Sequence, residues 1–268
     1  MKKKLALILA GTAMAAMVLA GCGDKNNASG EDVKTAESVE DKKTFTVGFD
    51  AEYPPYGYMD ENGEYTGFDL ELAEAVCKLE GWELVKKPLN WDSKDMELNS
   101  GSIDCIWNGF TMNGREDDYT FSTPYVDNSQ VIVVAEKSGI DTLEDLAGKT
   151  VGVQAASAAL DLLKSEEEGG QKKLADTFGA LNEFADYNTA FTELQAGALD
   201  ALAIDVGVAN YQIKSRGEGY KILDETLNTE QYAIGFKKGN QELCDVVNAD
   251  LKKLTEDGTV AKLAEKYE

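Results

Sequence analysis

The chain has no histidine among its 268 residues. This absence excludes a Ser-His-Asp triad, a Cys-His nucleophile pair and His-ligated zinc or haem. A general base would have to be a carboxylate, a lysine, a cysteine or a tyrosine. The sequence therefore weakens an enzyme interpretation, and we expect neither a metal site nor a cofactor.

Basic side chains are also scarce, with 26 Lys and Arg against 49 Asp and Glu, and the net charge is −23. Nucleic-acid binding needs clustered Lys and Arg to neutralise phosphates, so this balance argues against it. A soluble, self-repelling surface accounts for the charge. Hydrophobic residues still make up 43% of the chain, which is enough for a packed core in one or two domains.

One long apolar run occurs in the sequence, and it lies at the N-terminus. Three lysines precede it, it extends from Leu5 to Ala20, and Gly21-Cys22 follows. A charged start, an apolar stretch and small residues before a cut are typical of an export signal, which we predict at 1–21. A single-pass membrane anchor is the alternative, although about 16 apolar residues are short for a bilayer span.

The residues Leu19-Ala20-Gly21-Cys22 resemble the lipobox of bacterial lipoproteins. In that family the cysteine is acylated and begins the mature protein, and two or more acyl chains anchor a protein stably. The resemblance implies lipidation of Cys22, with palmitate-type chains, on the extracytoplasmic face of the cell membrane. A free or disulfide-bonded Cys22 is the alternative. The polar segment 22–43 would then be a flexible tether.

The three remaining cysteines, Cys77, Cys105 and Cys244, are widely spaced and have apolar neighbours. An odd number at wide spacing argues against a disulfide framework. We therefore predict that they are small buried apolar side chains.

Beyond residue 43, short apolar strands alternate with amphipathic helices. Phe68, Leu72, Val76 and Leu79 recur at helical spacing before the stop signal Gly81. The predicted elements are a strand at 43–49, a helix at 67–80, a strand at 82–89, a short helix at 93–100 and a strand at 103–107. This order is typical of an α/β fold.

The alternation restarts about 100 residues later. The pattern Glu-Leu-x-x-Gly-x-apolar-Asp occurs at 97–104 and again at 193–200, and the strand marker Gly48 is echoed by Gly152. A repeat of this length is too long for a solenoid unit. It predicts two similar α/β lobes, in each of which a short helix ends at glycine and leads into a strand.

Several short motifs follow one another between residues 44 and 267. They are Gly67-Phe68-Asp69-Leu70-Glu71-Leu72-Ala73, Leu98-x-x-Gly101-x-Ile103-Asp104, Arg115 followed by Phe121-Ser122-x-Pro124-Tyr125, Leu146-x-Gly148-Lys149-x-Val151-Gly152-Val153, and Asp257-Gly258-Thr259. Taken together, they resemble the amino-acid-binding family of bacterial extracellular solute-binding proteins, which serve ABC transporters.

The resemblance implies a two-lobed, periplasmic-binding-protein-like α/β fold with two crossover hinge strands. Lobe 1 would comprise 44–124 plus 233–268, and lobe 2 would comprise 130–227. The hinges would lie near 125–129 and 228–232. This arrangement agrees with the internal repeat and places the C-terminal helices on the first lobe.

A free amino acid presents a carboxylate, an ammonium and a side chain, so its site needs a cation, an anion and a selective pocket. Arg115 is one of two arginines in the chain, and its planar guanidinium suits a carboxylate. The resemblance implies that Arg115 binds the α-carboxylate, although segment 111–115 is one residue shorter than is common in the family. A surface arginine beside Asp117 and Asp118 is the alternative.

Ser157 follows an apolar strand and precedes a predicted helix, so it lies where helix N–H groups favour an anion. The resemblance implies a second contact to the ligand's carboxylate. The family usually has Gly-Thr where this chain has Ala156-Ser157. Plain helix capping by Ser157 is the alternative, and both roles can coexist.

Asp205 follows the apolar run 201–204, at the carboxyl end of a predicted strand. Open α/β sheets bind ligands at that end. The resemblance implies that Asp205 binds the α-ammonium, with Gly109 and Thr111 as further acceptors and Asn108 beside them. An N-cap role for Asp205 is the alternative.

Tyr53 and Trp91 match the aromatic pair that encloses the ligand's side chain in the family. Aromatic faces cover methylenes and tolerate a cationic end, although core packing is the alternative. Asp50 matches a pocket carboxylate, and the neutral Gln154 stands where relatives carry a cation or an amide. This set favours a polar neutral or cationic ligand such as glutamine, lysine, arginine or cystine.

Three functions are compatible with this sequence. The first is the substrate-binding subunit of an ABC importer, which is not an enzyme, closes around one ligand and docks as a monomer on an ABC permease. The second is a dehydratase-like enzyme on the same fold, with Asp50 or Asp205 as acid or base. The third is a ligand-sensing module. The lipobox and the two-lobed body favour the first.

Overall fold

The computed structural model describes residues 39–217 and 219–267. The predicted signal peptide at 1–21 and the predicted lipidation site Cys22 lie outside the described residues. Most of the predicted tether at 22–43 also lies outside them.

The last residues of the predicted tether are described. Val39–Asp41 form a single 3-10 turn, and Lys42 Nζ pairs with the Asp104 carboxylate at 2.6 Å. These residues therefore contact the folded body. The bounds of the tether and of the two lobes stay predictions.

Short strands and helices alternate along the described chain. The strands are β1 (Thr44–Phe49), β2 (Glu52–Tyr53), β3 (Gly57–Met59), β4 (Tyr65–Thr66), β5 (Glu83–Pro88), β6 (Cys105–Ile106), β7 (Tyr119–Phe121), β8 (Val126–Ala135), β9 (Thr150–Gln154), β10 (Ala180–Phe184), β11 (Ala201–Asp205), β12 (Tyr220–Ile222), β13 (Asn228–Tyr232) and β14 (Gly235–Lys237). The helices are α1 (Phe68–Glu80), α2 (Lys94–Ser100), α3 (Ala158–Lys164), α4 (Lys172–Ala175), α5 (Tyr187–Ala196), α6 (Val206–Arg216), α7 (Gln241–Glu256) and α8 (Thr259–Tyr267). Further 3-10 turns lie at Trp91–Ser93 and Glu144–Leu146.

The elements predicted from the sequence are present, with small shifts at their ends. The largest shift concerns the strand predicted at 103–107, which is confined to Cys105–Ile106. Hydrophobic patterns locate an element better than its ends, because end residues are set by backbone hydrogen bonds to neighbouring strands.

Two sheets form the two lobes of the α/β fold. The first sheet has the strand order β5-β1-β6-β14-β7, with β5, β1 and β6 parallel. The second sheet has the order β10-β9-β11-β8-β12, with β10, β9 and β11 parallel. A small antiparallel sheet of β2, β3 and β4 follows β1 in the chain. The central parallel strands thus have the same arrangement in both lobes.

The chain passes between the two sheets through β8 and again through β13. The two strands pair antiparallel, from Val126 opposite Tyr232 to Gln130 opposite Asn228. In the chain, β7 precedes β8 and β14 follows β13. β7 and β14 are neighbours in the first sheet. The pair of β8 and β13 matches the two-strand connection that the resemblance implies, and its action as a hinge stays a prediction.

The internal repeat has the same structure in both lobes. Each copy of the Glu-Leu-x-x-Gly-x-apolar-Asp pattern ends a helix at its glycine, which adopts the left-handed conformation. Asp104 Oδ2 accepts a hydrogen bond from the Thr46 N–H at 2.7 Å, and Asp200 Oδ2 accepts one from the Thr150 N–H at 2.8 Å. The final aspartate of each copy therefore binds the adjacent parallel strand, β1 or β9.

The largest cluster of buried apolar side chains contains residues of both lobes. Phe49 and Trp107 of the first lobe belong to it, as do Tyr187 of the second lobe and Tyr232 of β13. Each lobe also has a smaller cluster of its own. Cys77, Cys105 and Cys244 are buried, as predicted, and they are free.

Helix α1 packs against α7 and α8, which places the C-terminal helices on the first lobe. Phe68, Leu72 and Val76 are buried as their spacing predicts, but Leu79 is 48% exposed. Helical spacing identifies the side of a helix, whereas burial also requires a neighbouring element over that turn. The last turn of α1 leaves Leu79 in contact with solvent.

No helix in the described ranges combines the length and apolar content needed to cross a bilayer.

Gly67 begins α1 at a point where the chain passes close to Tyr56. Its φ is +135°, and a Cβ there would lie 2.2 Å from the Tyr56 carbonyl oxygen. We predict that Gly67→Ala lowers the free energy of unfolding by more than about 2 kcal/mol, because backbone atoms must move as well as adopt a strained φ. Urea unfolding followed by circular dichroism measures this change.

Gly63→Ala is the matched control. Gly63 also has a positive φ of +82°, but a Cβ there meets no atom within 4 Å. This variant should lose about 1 kcal/mol from backbone strain alone. Equal losses in the two variants would contradict a clash at Gly67.

Candidate functional site

The carboxyl ends of β1, β6, β9 and β11 lead to one pocket between the lobes. Its lining residues are Asp50, Tyr53, Trp91, Asn108, Gly109, Phe110, Thr111, Arg115, Gln154, Ser157, Ala158 and Asp205. All ten ligand-binding residues predicted from the sequence are in this set, and Phe110 and Ala158 are the additional members. The structure brings these side chains together, while their roles toward a ligand stay predictions.

Asp50 lies just after β1 and faces the second lobe. Its Oδ1 accepts from the Glu52 N–H at 2.8 Å, and its Oδ2 accepts from Gln154 Nε2 at 2.6 Å. Burial raises the pKa of the Asp50 carboxyl to about 6. Gln154 also donates to the Ala185 carbonyl at 3.1 Å, which fixes its amide across from Asp50.

Asn108 and Gly109 lie in the loop that follows β6. Asn108 Oδ1 accepts from the Asp50 N–H, and its Nδ2 has no hydrogen-bond partner within the described residues. The Gly109 N–H donates to Asp69 Oδ2, and a Cβ on Gly109 would lie 3.0 Å from the Tyr232 ring. Burial raises the pKa of Asp69 to about 7. The loop is therefore packed tightly. Asn108 lines the pocket, and its Nδ2 is a hydrogen-bond donor without a partner among the described residues.

Arg115 lines the pocket and pairs with the second lobe. Its Nη2 donates to Asp161 Oδ2 at 2.7 Å, and its guanidinium carbon lies 5.0 Å from the centre of the Phe110 ring. The Arg115 side chain is 12% exposed, and its partner is Asp161 rather than Asp117 or Asp118. Gly114 adopts a φ of +79°, so the short segment before Arg115 turns at glycine.

The two predicted aromatic residues lie on the first-lobe side of the pocket. Tyr53 is 7% exposed and lies beside Tyr187, with ring centres 6.0 Å apart. Trp91 meets Phe110 edge to face at 5.7 Å, and Lys94 Nζ lies 5.2 Å from the Trp91 ring centre. Both rings therefore contribute to packing and also line the pocket.

Ser157 caps α3, as one of the two interpretations predicts. Its Oγ accepts from the Leu160 N–H at 3.1 Å and donates to the Gln154 carbonyl at 2.7 Å. The preceding Ala156 has a φ of +55°. This left-handed conformation costs a residue with a side chain about 1–2 kcal/mol, which explains why glycine is common there in the family.

Asp205 occupies the N-cap position of α6, but its side chain makes no capping hydrogen bond. Asp205 Oδ1 instead accepts from Asn128 Nδ2 at 2.8 Å, Gln130 Nε2 at 2.7 Å and the Tyr232 hydroxyl at 2.6 Å. Burial, followed by the nearby Glu230 charge, raises the pKa of Asp205 to about 6. The N-cap alternative is thus wrong for the side chain.

Three polar residues that the sequence analysis did not select surround Asp205. They are Asn128 and Gln130 of β8 and Glu230 of β13, and each is at most 5% exposed. The burial of Glu230 and Tyr232 alternates with exposure of their neighbours along β13. The sequence Asn-Thr-Glu-Gln-Tyr is polar at its first four positions, so hydrophobic spacing gave no signal of this burial.

Contacts between the lobes leave little space in the pocket. Arg115 meets Asp161, Gln154 meets Asp50, and Lys94 Nζ donates to the Ala156 carbonyl at 3.4 Å. The cavity volume is about 10 Å³. That is close to the space that one water molecule needs, so the lobes are close together.

Besides Arg115, a lysine contacts the second lobe next to the pocket. This residue, Lys94, was not identified from the sequence. It is 4% exposed, and burial lowers its pKa. Lysine is rarely buried without a partner. Lys94 is the first residue of the amphipathic helix α2, and the sequence of such a helix does not indicate whether a single lysine is buried.

Two α/β lobes joined by two crossing strands, with a polar pocket at their strand ends, define a two-lobed binding protein. Residues 45–268 match the family described as bacterial extracellular solute-binding proteins, family 3. The chain belongs to this family. The resemblance recognised in the sequence is thereby confirmed.

Relatives with similar sequences cover nearly the whole chain. The L-cystine-binding protein TcyJ of Escherichia coli (strain K12) is 30% identical over 257 residues, which cover 95% of this chain and 92% of TcyJ. The arginine-binding extracellular protein ArtP of Bacillus subtilis (strain 168) is 32% identical over 271 residues, which cover 100% of this chain and 98% of ArtP.

A solved structure confirms the two-lobed fold. It is an ABC uptake transporter substrate-binding protein from Streptococcus pneumoniae with bound histidine, which is 33% identical and has a TM-score of 0.80. The match covers 85% of this chain and 94% of that chain.

The buried Asp69 carboxyl makes stability depend on pH. Its pKa is about 7 when folded and 3.8 without the protein environment, so the folded state holds a proton that the unfolded state releases between these values. Stability therefore falls as pH rises from about 4 to about 7. Relative to wild type, Asp69→Asn should gain up to about 4 kcal/mol of unfolding free energy over this range and no more above it.

Urea unfolding at several pH values measures that difference. Asp60→Asn is the control, because Asp60 is exposed and a backbone hydrogen bond from Glu64 lowers its pKa. Its difference from wild type should not rise between pH 4 and pH 7. A pH-independent difference for Asp69→Asn would show that Asp69 does not titrate there.

Proposed function

We propose that this protein is the extracytoplasmic substrate-binding subunit of an ABC importer and that it binds one free amino acid without transforming it. The observation that carries the proposal is the convergence of a guanidinium, buried carboxylates and two aromatic rings on one pocket between the lobes. The relatives named for binding cystine and arginine, and the similar structure with bound histidine, support it.

Opposite charges in the pocket match a zwitterion. Arg115 is the side-chain cation that lines the pocket, and we propose that it binds the α-carboxylate. Asp205, with the loop groups Gly109 and Thr111, would bind the α-ammonium. Ser157 and Asn108 would complete the site, and the spare Nδ2 donor of Asn108 supports contact with a ligand acceptor.

The remaining lining residues would select the side chain of the ligand. Tyr53 and Trp91 offer aromatic faces, while Asp50 and Gln154 offer polar groups that bind each other across the lobes. A carboxylate and a neutral amide suit a polar neutral or cationic side chain. Glutamine, lysine, arginine and cystine are therefore the ligands that we propose first.

Opening and closing of the lobes would admit and hold the ligand. A cavity of about 10 Å³ is too small for an amino acid, so the lobes must separate for one to enter. We propose that the ligand's carboxylate replaces Asp161 on Arg115 and that its side chain replaces one partner of the Asp50–Gln154 pair. The paired strands β8 and β13 would be the hinge.

The predicted export signal and the lipobox-like motif support a location outside the cytoplasm. We propose that residues 1–21 are removed, that Cys22 is lipidated, and that residues 22–43 tether the body to the cell membrane. The closed, ligand-bound monomer would then dock on an ABC permease.

Binding of an amino acid is the direct test. A thermal-shift screen of the twenty amino acids and cystine, followed by isothermal titration calorimetry, should find a one-to-one ligand that is recovered unchanged. Arg115→Gln should weaken binding at least hundredfold, about 2.7 kcal/mol, because the carboxylate loses its cation.

Arg216→Gln is the matched control, because Arg216 is the other arginine and stacks on Phe191 away from the pocket. It should bind as the wild type does. Absence of binding to every amino acid would refute the proposal, and consumption of the ligand would indicate an enzyme. Tight binding by Arg115→Gln would mean that the carboxylate lies elsewhere.

Lipidation of Cys22 has a separate test. In bacteria that express the chain, Cys22→Ser should abolish incorporation of labelled palmitate and move the protein from the membrane fraction to the soluble fraction. Cys244→Ser is the control, because that thiol is buried and a hydroxyl can also donate to the Phe121 carbonyl. Unchanged labelling of Cys22→Ser would exclude the lipobox assignment.

A further inference from the structure

Glu230 and Asp205 form a buried carboxylate pair that shares its hydrogen-bond donors. Asn128 Nδ2 donates to Asp205 Oδ1 and to Glu230 Oε1, each at 2.8 Å. Gln130 Nε2 does the same, at 2.7 Å and 2.8 Å. The two carboxylates are therefore bridged by the amides of Asn128 and Gln130, which are alternate positions on β8.

Glu230 also fixes the hydroxyl of Thr111. Thr111 Oγ1 donates its hydrogen to Glu230 Oε1 at 2.7 Å. A carboxylate can accept but not donate, so the hydroxyl hydrogen must point at Glu230. The lone pairs of Thr111 Oγ1 are then free to accept from a ligand, and Thr111 lines the pocket.

The described hydrogen-bond donors to the pair carry no positive charge. In residues 39–217 and 219–267, the hydrogen-bond donors to Asp205 and Glu230 are amides and hydroxyls, without a Lys or Arg among them. Two buried carboxylates repel each other and have lost their hydration, so a positive charge placed near them is stabilising. An arriving ammonium would compensate this cluster.

We propose that Glu230 is a positioning residue of the ammonium site: it holds Asp205 through Asn128 and Gln130, orients the Thr111 hydroxyl as an acceptor, and adds a second negative charge that favours the ligand's ammonium. This inference rests on the proposed amino-acid binding. Glu230 does not line the pocket, so it acts through Asp205 and Thr111.

Besides Glu230, the ionisable groups that face Asp205 are tyrosines. They are the phenols of Tyr53, Tyr56, Tyr187 and Tyr232, whose pKa values burial raises, so they stay neutral. The Glu230 charge is one cause of the raised pKa of Asp205. Because an ammonium favours the ionised carboxyl, affinity should fall as pH drops below about 6.

Glu230→Gln tests the inference by calorimetry from pH 5 to pH 8, with whichever of L-glutamine, L-arginine, L-lysine and L-cystine binds the wild type most tightly. The variant keeps the shape of the side chain but lacks the charge and can donate to Thr111. We expect affinity at pH 7.5 to fall at least tenfold, about 1.4 kcal/mol. The midpoint of its pH dependence should move about half a unit or more to lower pH.

Two further variants separate positioning from general stability. Glu230→Asp keeps the charge and should retain the wild-type midpoint. Asp127→Asn removes an exposed carboxylate from the same strand pair, where it accepts from Gln231 Nε2 at 2.9 Å, and should leave affinity and midpoint unchanged. Because Asp50 has a pKa in the same range, the difference between variants carries the test.

A measurement on the wild type covers the case in which Glu230→Gln does not fold. Titrations at pH 6 in two buffers with different heats of ionisation should show proton release on binding both for the wild type and for Asp50→Asn, in which Asp50 cannot supply the proton. No release would overturn the inference, as would a folded Glu230→Gln with the wild-type affinity and midpoint. In both cases the proposed function stands, whereas a wild type that binds no amino acid refutes the function and the inference together.

Discussion

The structure depends on the stabilisation of buried carboxylates by hydrogen bonds at the junction of the lobes. Removing a carboxylate from water is costly unless donors replace its hydration. For Asp205 and Glu230 these donors come from β8, from β13 and from the loop after β6. The same hydrogen bonds therefore join both crossing strands to the pocket. A relative rotation of the lobes must preserve this cluster or break it as a unit.

The positions of the pocket residues could be predicted because parallel strands impose a simple rule. Residues just after β1, β6, β9 and β11 must lie at one edge of their sheet, and the family motifs indicated which of them to select. The internal repeat supports the two-lobed fold without reference to any related protein, because Asp104 and Asp200 make the same contact in the two lobes. The fold class and the pocket positions were thus accessible from local pattern and family motifs, whereas the order of the strands came from the structure.

What the sequence could not provide is the set of neighbours across the lobes. Glu230, Gln130 and Lys94 are polar residues in ordinary polar stretches, and their burial depends on elements far away in the chain. Leu79 illustrates the opposite error, since its spacing fits a buried face while no element covers it. Pairings such as Arg115 with Asp161 also depend on how near the lobes lie, which no one-dimensional pattern encodes.

The position of β14 in the first sheet affects the order in which the two lobes can finish folding. β14 lies between β6 and β7, yet it follows the whole second sheet in the chain. During synthesis and export the second lobe can form while β6 still lacks one neighbour, and α1 still lacks the cover of α7 and α8. The first lobe, which begins the body, is therefore the last to be finished, and a chain truncated after the second lobe would expose an unpaired strand edge.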